Sequence, residues 1–196
     1  MVPRVLAADE PGRAPICEAR GMSGTASFSR CRTFRYTLTR DLGGPCPLVV
    51  IGLNPSTADA TQDDPTVRRE VAFARRWGFG RLVKLNAYAF RATDPRVMHA
   101  AAQRGDDIVG PRNDAAITRA LADARATAGL VLVAWGRHAR PERVARIVLL
   151  LAGTDARCLR TNLDGSPVHP LYQRATTRPT PWPPRTPPAR RTARPG

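Results

Sequence analysis

The chain has 196 residues, 42% apolar and 24% charged, the composition of one globular domain with room for ragged ends. Collagen, a coiled coil and wholesale disorder are excluded, and no run approaches the roughly 18 apolar residues that a membrane span needs. Basic side chains number 31 against 16 acidic, a net charge of +15. Lys84 is the only lysine, so part of this arginine excess is what a GC-biased coding sequence yields, and part is compatible with a polyanionic partner.

In chain order, residues 1–30 read as a poorly ordered N-terminal extension. Its first 20 residues lack the apolar stretch of a signal peptide, which makes a cytoplasmic protein the default expectation. Phe34-Arg35-Tyr36-Thr37-Leu38 alternates briefly and is expected as an extra antiparallel or edge strand. Four short apolar runs read as parallel strands covered on both faces. They are Leu48–Ile51, Leu82–Leu85, Leu130–Ala134 and the weaker Ala156–Arg160. Helices are expected between them. Thr66–Trp77 carries Val67, Val71, Ala74 and Trp77 near one stripe and stops at Gly78. A second begins at Asp107 or Pro111 and runs to Ala126, with Ile117 and Leu121 one turn apart. The third, Pro141–Leu151, opens on an N1-like proline and presents Val144, Ile147, Val148 and Leu151. Strands alternating with helices predict a single α/β domain over 31–172, a parallel sheet with helices on both faces. Residues 173–196 hold six arginines, no acid and seven prolines. They are expected as a disordered tail, either a basic arm for phosphates or a drifting extension.

Cys17, Cys31, Cys46 and Cys158 form no C-x-x-C pair, so buried free thiols in a reducing compartment are expected, with no metal and no cofactor. Ligands in such folds sit outside the carboxyl ends of the strands. The informative residues therefore follow each run: Gly52–Asp59, Asn86–Asp94, Trp135–His138 and Thr161–Pro170. Polar side chains gather at all four ends.

Those ends carry a resemblance. Gly52-Leu53-Asn54-Pro55-Ser56, Leu85-Asn86-Ala87, Trp135-Gly136-Arg137-His138-Ala139 and His169-Pro170 are similar, in this order, to motifs of the uracil-DNA glycosylase superfamily. The resemblance implies a three-layer α/β sandwich around a central four-stranded parallel sheet. It further implies Asn54 as holder of the attacking water, Asn86 as reader of the base edge and His169 as hydrogen-bond donor to the base carbonyl. Leu171 stands where those glycosylases usually have serine, and Leu171 or Tyr172 is a candidate for their apolar wedge. More closely, Cys31–Tyr172 resembles an uncharacterised bacterial family, domain of unknown function 1643. The shared patterns are Arg35-Tyr36-x-Leu38-x-Arg40, Leu53–Asp59, Asp63-Asp64-Pro65-Thr66, Phe90–Pro95, Gly110-Pro111-x-Asn113-Asp114 and His169-Pro170-Leu171-Tyr172.

The chemistry of these residues fits cleavage of an N-glycosidic bond, which needs stabilisation of the leaving base and a positioned water. Asn54 orients water but is no base. Asp59, Asp63, Asp64 and Asp94 lie in loops at the proper edge and could supply a carboxylate. Asn86 offers both donor and acceptor to a base edge. Phe90 or Tyr88 could stack on a base, Arg91, Arg68 and Arg69 could hold phosphate, and Ser56 is a candidate contact. Structural readings stand beside these. Asn54–Thr57 reads equally as a turn, Asp64 as the cap of the following helix, Asn86 as a partner for backbone groups, and Arg91 with Asp94 as a loop ion pair. Two functional expectations result: a DNA glycosylase-like hydrolase, or a non-catalytic nucleic-acid or nucleotide-binding module. Either is expected to be monomeric and away from membranes.

Overall fold

The computed structural model describes residues 23–183; Cys17 and residues 184–196 of the expected tail lie outside them. One mixed sheet of seven strands organises these residues. In chain order its strands are β1 (Gly24–Phe28), β2 (Arg35–Asp41), β3 (Pro47–Gly52), β4 (Arg81–Asn86), β5 (Leu130–Val133), β6 (Ala156–Cys158) and β7 (Thr180–Pro181). The helices are α1 (Pro65–Arg76), α2 (Pro95–Gln103), α3 (Asn113–Ala126) and α4 (Pro141–Leu150). The spatial order β1-β2-β4-β3-β5-β6-β7 places four parallel strands, β4 to β6, at the centre. Antiparallel β2 and β1 extend one side and β7 the other.

The four apolar runs supply the parallel strands because each has side chains to bury on both faces. Leu48 and Val50 of β3, Leu82 of β4 and Leu132 of β5 pack against Val67, Val71, Phe73 and Ala74 of α1. Their neighbours Val49, Ile51, Val83, Leu85, Val131 and Val133 meet the other face, with Met98 of α2, Ile117 and Leu121 of α3 and Ile147 of α4. From β3 the chain crosses one face through α1 to β4, then the other face through α2 and α3 to β5 on the far side of β3. The strand order thus reverses at β3, the place where open α/β sheets form a crevice.

Several sequence expectations are corrected. The sheet has seven strands, where the resemblance implies four: the antiparallel strand expected at Phe34–Leu38 is present as β2, and the short segments β1 and β7 pair at the edges. Gly24–Phe28, assigned to the N-terminal extension, pairs with β2 from Gly24↔Arg40 onward. Within the presumed tail, Thr180–Pro181 pairs with β6, and the Trp182 ring packs edge-on against Trp135 at 5.1 Å. Helix α2, which contains His99, is additional to the three helical segments expected. It starts as α1 does, with an aspartate cap before proline: Asp64 accepts from the Val67 N–H and Asp94 from the Arg96 N–H. Cys31 is exposed, Cys46 half-buried and Cys158 buried, all three free, so the expectation of buried thiols fails at Cys31. No helix among the described residues is long and apolar enough to cross a membrane.

Candidate active site

A cleft of about 770 Å³ opens at the carboxyl ends of the parallel strands. Residues after β3 (Leu53, Asn54, Ser56, Thr57) and the start of α1 (Asp64 to Val67) line one wall. Lys84 and Asn86 of β4 face it together with Arg35 of β2. Ala92, Thr93 and Pro95, the segment after β5 (Trp135 to His138), Asn162, Val168, His169 and Leu171 to Gln173 complete it. A second groove of about 550 Å³, between β2 and α3, contains none of the predicted site residues.

Asn54, Asn86 and His169 therefore line one cleft from three distant segments. Asn54 is held by its Nδ2, which donates to the Ala92 carbonyl at 2.7 Å and to the Pro55 carbonyl at 3.2 Å; its Oδ1 is left for a ligand or water. Asn86 is 1% exposed, and neither its Nδ2 nor its Oδ1 has a hydrogen-bond partner among the described residues. The reading of Asn86 as satisfying backbone groups is thereby corrected. A buried amide without partners is costly, and this one faces a cavity. The Leu171 N–H donates to His169 Nδ1 at 3.3 Å, which leaves the ring proton on Nε2. Burial, then the charge of Lys84, lower the His169 pKa to about 4. The imidazole is therefore a neutral donor near neutral pH.

The other candidates divide. Ser56 and Asp64 line the cleft, and Tyr172 stands at its mouth, 81% exposed, with its ring 5.9 Å from that of His169. Asp64 also caps α1 at 2.8 Å, so both readings of it hold. Four candidates do not line the cleft themselves, although Ala92, Thr93 and Pro95 beside two of them do. Asp59 Oδ1 accepts from the Thr61 and Gln62 N–H groups at 2.8 and 2.9 Å and builds its own turn. Asp94 caps α2 and pairs with Arg96, not with Arg91. Phe90 bridges to Phe34 and packs edge-on against its ring. Arg91 lies over the Phe28 ring at 5.0 Å and donates to the Arg32 carbonyl. Tyr88 is buried, its hydroxyl accepting from the Arg140 N–H. In each case a nearby backbone or ring partner takes the group that the sequence offers to a ligand.

Sequence reasoning missed the supports. Lys84 pairs with Glu70 of α1, both buried. Burial raises the Glu70 pKa and the ammonium opposes that shift. Its signal was present: Glu70 interrupts the Val67–Val71–Ala74 stripe, and Lys84 interrupts an apolar strand. Arg35 is 1% exposed, donates from Nη1 to the Ala58 carbonyl and leaves Nε unpartnered. Arg40 grips the next turn through Asp63 and the Asp59 carbonyl. Two arginines of β2 thus hold the loop that carries Asn54 and Ser56.

Among the described residues no three His, Cys, Asp or Glu side chains cluster to hold a metal. The cleft can present donors to a carbonyl, a donor and an acceptor to a heterocycle edge, and a carbonyl oxygen to water. The cations Arg35, Lys84 and Arg137 line it against one carboxylate, that of Asp64. No curated protein and no solved structure matches the chain. A family model does match, over residues 35–171, which contain every cleft wall except Tyr172 and Gln173: the chain belongs to the family described as "Protein of unknown function (DUF1643)".

Proposed function

We propose that the protein is a nucleobase-recognising hydrolase that cleaves an N-glycosidic bond in nucleic acid or a nucleotide-like molecule. The observation that carries the reading is the Asn86 amide, buried without partners in the cleft that Asn54 and His169 also line. In this reading Asn86 takes the donor–acceptor edge of the base. His169 Nε2–H donates to a ring carbonyl as the C1′–N bond breaks and its electron pair passes to the base. A donor preorganised in this way contributes roughly 2.7–4 kcal/mol of transition-state stabilisation. A water held by Asn54 Oδ1 bonds to C1′, and the proton it sheds is lost to solvent. Free thiols among the described cysteines fit a reducing compartment, the cytoplasm.

Oligonucleotides bearing uracil, other deaminated bases or modified pyrimidines, incubated with the full chain and cleaved by alkali, test this. An abasic product that His169→Ala abolishes is expected. No product on any substrate, with wild type and variant alike, overturns catalysis. One observation favours a binding module instead: Asp64 spends Oδ1 on its helix cap, so no lining carboxylate is wholly free to act as base. That reading predicts salt-sensitive binding of the same oligonucleotides without turnover.

A further inference from the structure

Successive side chains of β4 alternate between the two sheet faces, so Leu82, Lys84 and Asn86 all point to the face that α1 covers. At the middle position the fold buries an ion pair amid aliphatic packing: Lys84 is 5% exposed and Glu70 0%. A buried pair is poor evidence of stabilisation, because apolar residues of the same volume generally serve as well. Four features indicate what it does instead. Lys84 lines the cleft and Glu70 does not, so the ammonium stands between its carboxylate and the cavity. Among the described residues Glu70 is the only acceptor that the ammonium has, which leaves two of its three N–H donors unused there. A Cβ placed on Gly52 would lie 2.9 Å from both Lys84 Nζ and Asn86 Oδ1, so cation and amide converge over bare backbone. Lys84 is, finally, the one lysine among 31 basic residues, a compact charge where a planar guanidinium would need a wider space.

We propose that the Glu70–Lys84 pair makes the cleft floor an anion site, so that the favoured ligand is an acidic planar heterocycle bound through Asn86 with its negative charge on Lys84. This rests on the nucleobase reading and narrows it to bases that ionise readily. During cleavage the electron pair of the C1′–N bond passes to the ring, and its charge spreads onto the carbonyl facing the ammonium. The ion pair with Glu70 fixes the ammonium beside that charge, and the released ring is protonated later by solvent. Asp64 at the start of α1, Arg35 of β2, Arg137, His138 and His169 line the same cleft as Lys84. Arg35 adds a second cation on the same side.

The test uses the full chain in mildly alkaline buffer, with lysine carrying 13C at Cε; the single lysine gives a single side-chain signal. Calorimetry compares two neutral rings, uracil and thymine, with two that are anions there, 5-nitrouracil and barbiturate. The anions are expected to bind at least about tenfold more tightly and to shift the Cε signal. The double variant Glu70→Gln/Lys84→Met, which removes both charges without stranding either, is expected to bind all four rings about equally. Neutral rings binding as well as anions, or an anion preference that survives in the double variant, overturns the anion site and leaves the nucleobase reading standing. Binding of none of the four overturns both.

Discussion

Asn113, the first residue of α3, donates from Nδ2 to the carbonyls of both Asn86 and Ala87 at 3.1 Å. Arg143 of α4 reaches the Ala87 carbonyl as well, while its Nη1 pairs with Asp114 at 2.6 Å. Two helices thus clamp the main chain at the point where β4 delivers Asn86 to the cleft. Asn113→Leu takes its donor from the Asn86 carbonyl and leaves the Ala87 carbonyl to Arg143 alone, so a loss of about 1–3 kcal/mol is expected. Urea denaturation measures it. Weakened ring binding should accompany it, because the Asn86 amide is aimed by that backbone.

The Arg40–Asp63 pair secures the opposite wall. Arg40 is 2% exposed, Nε donates to Asp63 Oδ1 at 2.8 Å, and Nη2 donates to the Asp59 carbonyl at 2.6 Å. Asp63→Ala strands a buried guanidinium, and such changes cost roughly 3–5 kcal/mol. The expected outcome is a urea midpoint well below that of wild type and faster proteolysis within residues 54–63. Asp59→Ala removes only turn contacts and should leave ring binding intact.

The parallel core was legible because continuous runs such as Leu48–Ile51 have no stable home except between two covering layers. Gly24–Phe28 was not, since its burial alternates on a weakly apolar edge and only pairing with β2 fixes it. Asn54, Asn86 and His169 were readable because strand ends of an α/β sheet face a common crevice. The aspartates were not separable on the same grounds. Asp59, Asp64 and Asp94 all sit at loop positions, and which carboxylate is spent on a turn or cap depends on N–H groups that only the folded backbone presents. Lys84 and Glu70 show the reverse failure. Each looks like a flaw in an apolar pattern until α1 and β4 bring them together.

The depressed His169 pKa makes stability depend on pH in a defined direction. Unfolded histidine takes its proton near 6.5, whereas folded His169 resists until about 4. Between those values the unfolded chain binds more protons, so stability rises with pH there. It is fully present above about pH 6.5 and is lost as pH falls toward about 4. For a partly exposed ring the effect is of order 2 kcal/mol at most. His169→Gln should flatten this part of the curve, read as the difference between the two proteins in urea denaturation at about pH 7 and about pH 4.5. A difference that is constant with pH would show that His169 ionises alike in both states.

Gly52 offers the sharpest separation of site from scaffold. A Cβ there meets Asn86 Oδ1 and Lys84 Nζ at 2.9 Å, closer than the 3.4–4 Å of ordinary contact, but both atoms terminate side chains that can swing aside. Gly52→Ala should therefore fold, at a cost of about 1–3 kcal/mol, while ring affinity falls at least about tenfold because amide and ammonium leave their places. Gly80→Ala is the contrasting control. Its Cβ would stand 2.2 Å from Gly44 Cα, main chain that cannot yield, far from the strand ends that form the cleft. That variant should lose much more stability than Gly52→Ala, and in whatever fraction folds, ring binding should persist. Calorimetry and urea denaturation on the two proteins decide the matter. If Gly52→Ala binds as wild type does, the heterocycle does not lie over Gly52.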